Sequence, residues 1–162
     1  MWKSKAAKVV KLPLARWGMR VATKLVVPRQ RVGVSFVALN ESEEVFMLRH
    51  VYHPFYEWGL PGGWLKRNEA PAAGALRELR EETGLTAVIK STVAVLHDQE
   101  TAHIGIAYLG QLETGELQLS HEILEARWYP LTALPQPITH HTQLAINAAA
   151  QAYRFRGEFP AI

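Results

Sequence analysis

Four glutamates crowd into the stretch Gly63 to Leu85, GWLKRNEAPAAGALRELREETGL: Glu69, Glu78, Glu81 and Glu82. On a helix, Glu78, Glu81 and Glu82 stand at i, i+3 and i+4, so all three carboxylates are expected to project from one face. The crowding opposes helix formation, because a like-charged i, i+4 pair such as Glu78 and Glu82 costs about 0.2–0.5 kcal/mol. Two arrangements relieve it. Arg77 and Arg80 make the face a solvated salt-bridged one, with Arg77 reaching Glu81 at i+4. Alternatively, a divalent cation sits among the carboxylates. Hard oxygen ligands suit Mg²⁺ or Mn²⁺ rather than zinc, and the chain has no cysteine to argue otherwise. Spacing alone leaves both open.

The element that must carry these groups is a helix over Ala70 to Thr83, rich in Ala, Leu, Glu and Arg. Asn68 is the expected N-cap, Pro71 falls just inside the first turn, and Gly84 is the expected C-terminal stop.

Gly63, five residues, Glu69, seven residues, then Arg77-Glu78-Leu79-Arg80-Glu81-Glu82-Thr83-Gly84-Leu85 resembles the Nudix box at every defining position. Leu60-Pro61-Gly62-Gly63 matches its usual lead-in. So many fixed positions over 23 residues make a highly specific pattern. The resemblance is looser across Arg31 to Tyr153 and does not extend to the first thirty residues. It implies hydrolysis of a nucleoside diphosphate linked to another moiety, by water attacking a phosphorus. Such a reaction asks for positioning and charge neutralisation. Position in the box implies Glu81 and Glu82 as direct ligands of Mg²⁺ or Mn²⁺, with the Gly62 carbonyl as a third. Glu78 would bind metal or take the water's proton. Glu69 and Arg77 would form a brace that orients the ligands, and Gly63 and Gly84 serve the backbone.

Many members of that family add an acid from a later loop, and Ser120 to Trp128 (SHEILEARW) resembles that segment. Glu122 is the candidate metal ligand or general base, with Glu125 second. The resemblance leaves the substrate open. A nucleoside diphosphate sugar leads, with nucleoside triphosphates close behind. Thr86 to Thr101 lacks the proline often found in ADP-ribose hydrolases of this family, and no extended NADH or coenzyme A signature is present. The alternatives are removal of diphosphate from the 5′ end of RNA, gripped by the basic arm, and a Nudix-fold sensor that binds nucleotide without cleaving it. Such sensors typically lack a box carboxylate, and this chain lacks none.

At 162 residues, 48% of them hydrophobic, the sequence suits one domain with a substantial core. No run approaches the ~18 apolar residues of a membrane span. The absence of cysteine excludes disulfides and thiolate metal sites and fits a reducing cytoplasm. The net charge of +3 hides a segregation, because residues 1–31 hold nine of the eighteen Lys/Arg and none of the fifteen acids. Residues 1–30 therefore read as a basic amphipathic arm and 31–162 as the Nudix domain. Lys11, Arg16 and Arg20 deny the arm the unbroken apolar core of a secretory signal. Pro13 is expected to interrupt a long helix. The arm's apolar residues would pack on the domain or on a second subunit, which suits a homodimer. A membrane surface or RNA is the other reading.

Strands are expected at Arg31 to Leu39, Glu44 to Val51, Ala87 to His97 and Ala102 to Leu112, and a short one at Arg127 to Tyr129. Thr114-Gly115 is expected to turn the fourth of these into a hairpin with Glu116 to Leu119. Leu131 to Leu134 reads as a helical turn and Thr139 to Tyr153 as a helix. Tyr52-His53-Pro54-Phe55-Tyr56 is an aromatic loop beside the box, so Tyr52 and Tyr56 are candidate stacking residues. Arg49, His50 and His53 are weak phosphate candidates. His97, His103, His121, His140 and His141 look scattered, with His140 or His141 as outside candidates for substrate contact. The order of elements is that of an α/β fold, an α/β/α sandwich around a mixed sheet, which is also the fold the Nudix resemblance implies.

Overall fold

The computed structural model describes residues 13–26, 30–52, 55–98 and 102–155. The chain divides into two compact units, Met1–Gln30 and Arg31–Ile162. In the first, helix α1 runs over Pro13–Val26. The residues before Pro13, across which it is expected to interrupt a long helix, lie outside the described residues. Proline stands at its first position, where the missing N–H has no helical partner to lose.

The second unit is an α/β/α sandwich. Its strands are β1 (Arg31–Ala38), β2 (Glu44–His50), β3 (Trp58–Gly59), β4 (Gly62–Trp64), β5 (Ala87–Asp98), β6 (His103–Leu112) and β7 (Ile123–Pro130), with helices α2 (Pro71–Thr83) and α3 (His140–Phe155). They form a four-stranded sheet in the order β4-β1-β6-β5 and a three-stranded one in the order β3-β2-β7. β1 and β6 run parallel from Arg31↔His103 to Ala38↔Gly110, while β4 pairs antiparallel with β1, so the sheet is mixed.

β1 explains the layering. Val34, Phe36 and Ala38 pack with Ala75 and Leu79 of α2, whereas Val37 and the following Leu39 pack with Ala145, Ile146 and Ala149 of α3. Alternate residues of one strand thus enter two cores, which is why its sequence is almost continuously apolar. Phe36, Val37, Leu79 and Leu109 are wholly buried, and Leu→Ala at such a position typically costs about 2–5 kcal/mol.

Several expected boundaries move. Asn68 is not the cap of α2: it occupies a left-handed turn (φ 63°), and the cap position falls to Ala70, which makes no side-chain cap bond. Pro71 then opens the helix, and Gly84 closes it at φ 72° with its N–H donating to the Arg80 carbonyl at 2.9 Å. The expected hairpin with Glu116 to Leu119 does not form. Instead the N–H groups of Gln118 and Ser120 donate to the carbonyls of Thr83 and Glu82, at 2.8 and 3.0 Å. The segment therefore satisfies orphan carbonyls of the last turn of α2. α3 starts where Thr139 Oγ1 accepts from the Thr142 N–H at 3.0 Å, an N-cap bond.

Candidate active site

β4 and the first residues after it bring the box loop over β1. Gly62 lies so close to β1 that an added Cβ would stand 2.2 Å from the Val34 carbonyl oxygen. Its N–H, turned away from that contact, donates to Glu82 Oε2 at 3.0 Å. At Gly63 an added Cβ would fall 2.6 Å from Glu78 Cδ, so glycine here leaves the space that the carboxylate fills. The two glycines do different work: one admits backbone, the other admits a side chain.

Glu78, Glu82 and Glu122 line one cleft of about 520 Å³, together with Gly62, Gly63, His50, Tyr56 and Trp58. Glu82 is only 7% exposed. Burial pushes its carboxyl from 4.5 up to about 8; the Gly62 N–H opposes that shift, and the charges of Glu78, Glu122 and Glu81 add to it. Glu78 is steadied by Arg77 Nη1 at 2.7 Å. Glu122 enters just before the start of β7, where the Val51 N–H donates to its carbonyl at 2.9 Å. Its own carboxylate is more than half exposed at the mouth.

Glu81 is not brought in with them. Its oxygens are held by Lys66 Nζ at 3.0 Å and Arg77 Nη1 at 2.9 Å, and its side chain is 52% exposed. Successive residues on a helix turn by about 100°, so Glu82 and Glu81 cannot share a face as fully as Glu82 and Glu78 do. Arg77 joins the outer groups. Its Nε and Nη2 grip both Glu69 oxygens at 2.7 and 2.9 Å, and Nη2 also donates to the Trp64 carbonyl at 3.2 Å. With the Lys66 N–H on Glu69 Oε2 at 2.8 Å, the loop is tied to the helix. Those hydrogen bonds, from Arg77 above all, hold the Glu69 carboxyl well below its usual range.

Among the described residues, no three carboxylate or imidazole side chains converge to metal-ligand spacing as they stand. The donor set nevertheless fits a hard cation. Glu78, Glu82 and Glu122 supply carboxylate oxygens to one cleft, and the innermost carboxylate, Glu82, is buried among like charges.

Of the residues expected to meet substrate, Tyr56 lines the cleft. Arg49 is turned to Glu57, with its Nε donating at 2.7 Å, and Tyr52 is 65% exposed outside the cleft. His53 lies outside the described residues. His50, a weak phosphate candidate from the sequence, and His141, an outside candidate for substrate contact, both line the cleft, as does His103, whereas His140 does not. His50 Nδ1 stands 4.0 Å from Glu82 Oε1, at a bulge in the β2–β7 pairing. Across the cleft Trp64, His103 and His141 make successive edge-on contacts, with ring centroids 5.0 and 5.3 Å apart. Gly33 and Gly105 are partners across β1 and β6 and line the same cleft. The one signal for this wall was small residues on two otherwise bulky strands.

A short box loop over a mixed sheet, with a helix-borne carboxylate set at the strand ends, is the architecture of a Nudix fold. A family model for the NUDIX domain matches residues 29–149, and the chain belongs to that family. It is 29% identical over 131 residues to the human 8-oxo-dGDP phosphatase NUDT18, a match covering 78% of this chain and 40% of that protein. The chain thus spans well under half of that relative's length. An ADP-ribose pyrophosphatase of Methanocaldococcus jannaschii is 26% identical over 111 residues, covering 65% of this chain and 66% of its own. Among solved structures, a MutT NUDIX hydrolase from Burkholderia pseudomallei superposes with a TM-score of 0.67 at 25% identity, over 75% of this chain and 98% of that one.

Proposed function

We propose that the chain hydrolyses the diphosphate bond of a nucleoside diphosphate linked to another group, with a divalent cation, Mg²⁺ or Mn²⁺, as cofactor. The observation that carries this reading is the shared cleft of Glu78, Glu82 and Glu122, in which the buried Glu82 is surrounded by like charge. Glu78, Glu82 and the Gly62 carbonyl would hold the cation. When bound, it supplies charge neutralisation for the diphosphate oxygens and acidifies a water. Glu122, at the open mouth, takes the proton of the attacking water. Glu81 serves through Arg77, helping to fix where Glu78 stands.

The rest of the cleft suits the nucleoside. Tyr56 and Trp58 on one side, and the chain of rings Trp64, His103 and His141 on another, offer flat apolar faces for a base or sugar. Two relatives support a nucleoside diphosphate core. One is named for 8-oxo-dGDP and the other for ADP-ribose, and what these share is a diphosphate on a nucleoside.

The test is release of mononucleotide or phosphate from ADP-ribose, a nucleoside diphosphate sugar, 8-oxo-dGDP and a nucleoside triphosphate, each with Mg²⁺, with Mn²⁺ and with chelator. Turnover of at least one substrate, lost with chelator, is expected. Silence across the panel, with nucleotide binding intact, would replace hydrolysis with sensing.

A further inference from the structure

We propose that α1 is a membrane-surface helix, lying along the headgroup layer of an anionic bilayer and carrying the Nudix unit to it. The helix is two-sided by position. Leu14, Trp17, Gly18, Val21 and Leu25 recur at i, i+3, i+4, i+7 and i+11, whereas Arg16, Arg20 and Lys24 recur at i, i+4 and i+8 on the other side. Trp17 falls at the border, one turn from Arg20 and two from Lys24, the position where an indole sits between hydrocarbon and headgroup.

The apolar side is open to water: Trp17 is 67% exposed and Val21 is 37% exposed. Thr23, the neutral hydroxyl of the helix, turns to its own backbone and donates to the Met19 carbonyl at 2.7 Å. Fourteen residues rise about 21 Å, too little for the ~30 Å of a bilayer core, so the helix lies flat. Among the described residues no helix is long and apolar enough to cross.

Charge selects the surface. Residues 1–31 hold nine cations and no acid, and four of them, Lys3, Lys5, Lys8 and Lys11, precede the helix. Anionic headgroups attract such a cluster, while a broad apolar side meets acyl chains beneath them. A nucleic acid backbone would use the cations but leave Trp17 and Val21 in water. The combination of both sides favours lipid.

The experiment is co-sedimentation of the full chain with vesicles of phosphatidylcholine and phosphatidylglycerol in equal parts, against phosphatidylcholine alone, at low and high salt. Binding to the mixed vesicles is expected, weakened by salt and by removal of the anionic lipid. Trp17→Glu, on an exposed position, should weaken it about tenfold while leaving the melting temperature unchanged. Equal binding to both vesicles, or no effect of Trp17→Glu, overturns the proposal. So does single-stranded RNA binding that survives Trp17→Glu with no vesicle binding, which assigns the arm to nucleic acid. A dimer that Trp17→Glu dissolves, again without vesicle binding, overturns it in favour of a second copy.

Discussion

Glu81 and Glu82 are neighbours on one helix, yet their surroundings push them in opposite directions. Glu82 is buried, and its carboxyl rises to about 8. Glu81 is half exposed, and Lys66, followed by Arg77, holds its carboxyl below the usual value. The inner side of α2 therefore buries a carboxyl that burial and neighbouring carboxylates disfavour as an anion, while the outer side pairs its carboxylate with Lys66 and Arg77. In the proposed reading, one side takes a cation that the protein does not supply. The other uses the protein's cations to hold the scaffold.

The sharpest way to break this contrast is to remove the two charges separately. Glu82→Gln should lower turnover about 10³-fold, since a cation's charge stabilisation is worth several kcal/mol. Glu81→Gln should cost under about tenfold, through Arg77 alone. Equal losses, read as kcat with saturating Mg²⁺, would place both glutamates on the cation and erase the distinction.

A second measurement asks whether the inner charge is as costly as its burial implies. The folded-state pKa of Glu82 lies above the unfolded one, so its stabilising contribution is fully present below about pH 4.5 and is lost as pH rises through about 8. Across that window the chelated protein should lose a few kcal/mol, since each pH unit separating the folded and unfolded values is worth about 1.36 kcal/mol. Urea midpoints in chelator should fall between roughly pH 5 and 8 and level off above, and Glu82→Gln should flatten the fall. A slope unchanged by Glu82→Gln would mean that another group titrates.

A third measurement tests the outer side. Arg77→Lys keeps the charge but cannot grip both Glu69 oxygens, Glu78, Glu81 and the Trp64 carbonyl together. Turnover should drop about 10–100-fold, with a weaker apparent affinity for Mn²⁺ by titration. If Lys restores full activity, charge alone suffices and the fork geometry of Arg77 is dispensable.

The box helix was legible because its signals are local: Pro71, the Ala/Glu/Arg run and Gly84 lie within it or at its end. What escaped depended on distant partners. Asn68 looked like a cap, but the left-handed turn that seats the loop for Glu69 takes precedence there. Glu116 to Leu119 looked like a strand, but the segment's N–H groups had a better use on the α2 carbonyls. His50 reads as an isolated phosphate candidate until the bulge at Arg49/His50 sets it beside Glu82. His103 and His141 look scattered in sequence, and only the parallel pairing of β1 with β6 and the docking of α3 bring them to Trp64.

The parallel pairing of β1 with β6 also constrains a chain made from its N-terminus onward. When the last residue of the box leaves the ribosome, every glutamate of α2 has been synthesised, but β6 is not yet made and β1 has no parallel neighbour. Val51 still awaits the Glu122 carbonyl, and the cores on both sides of β1 are missing strands or a helix. Non-local pairing of this kind must wait for the later segment, whatever the local propensity of the helix. A nascent chain ending before residue 103 thus carries the entire motif and no cleft to use it in.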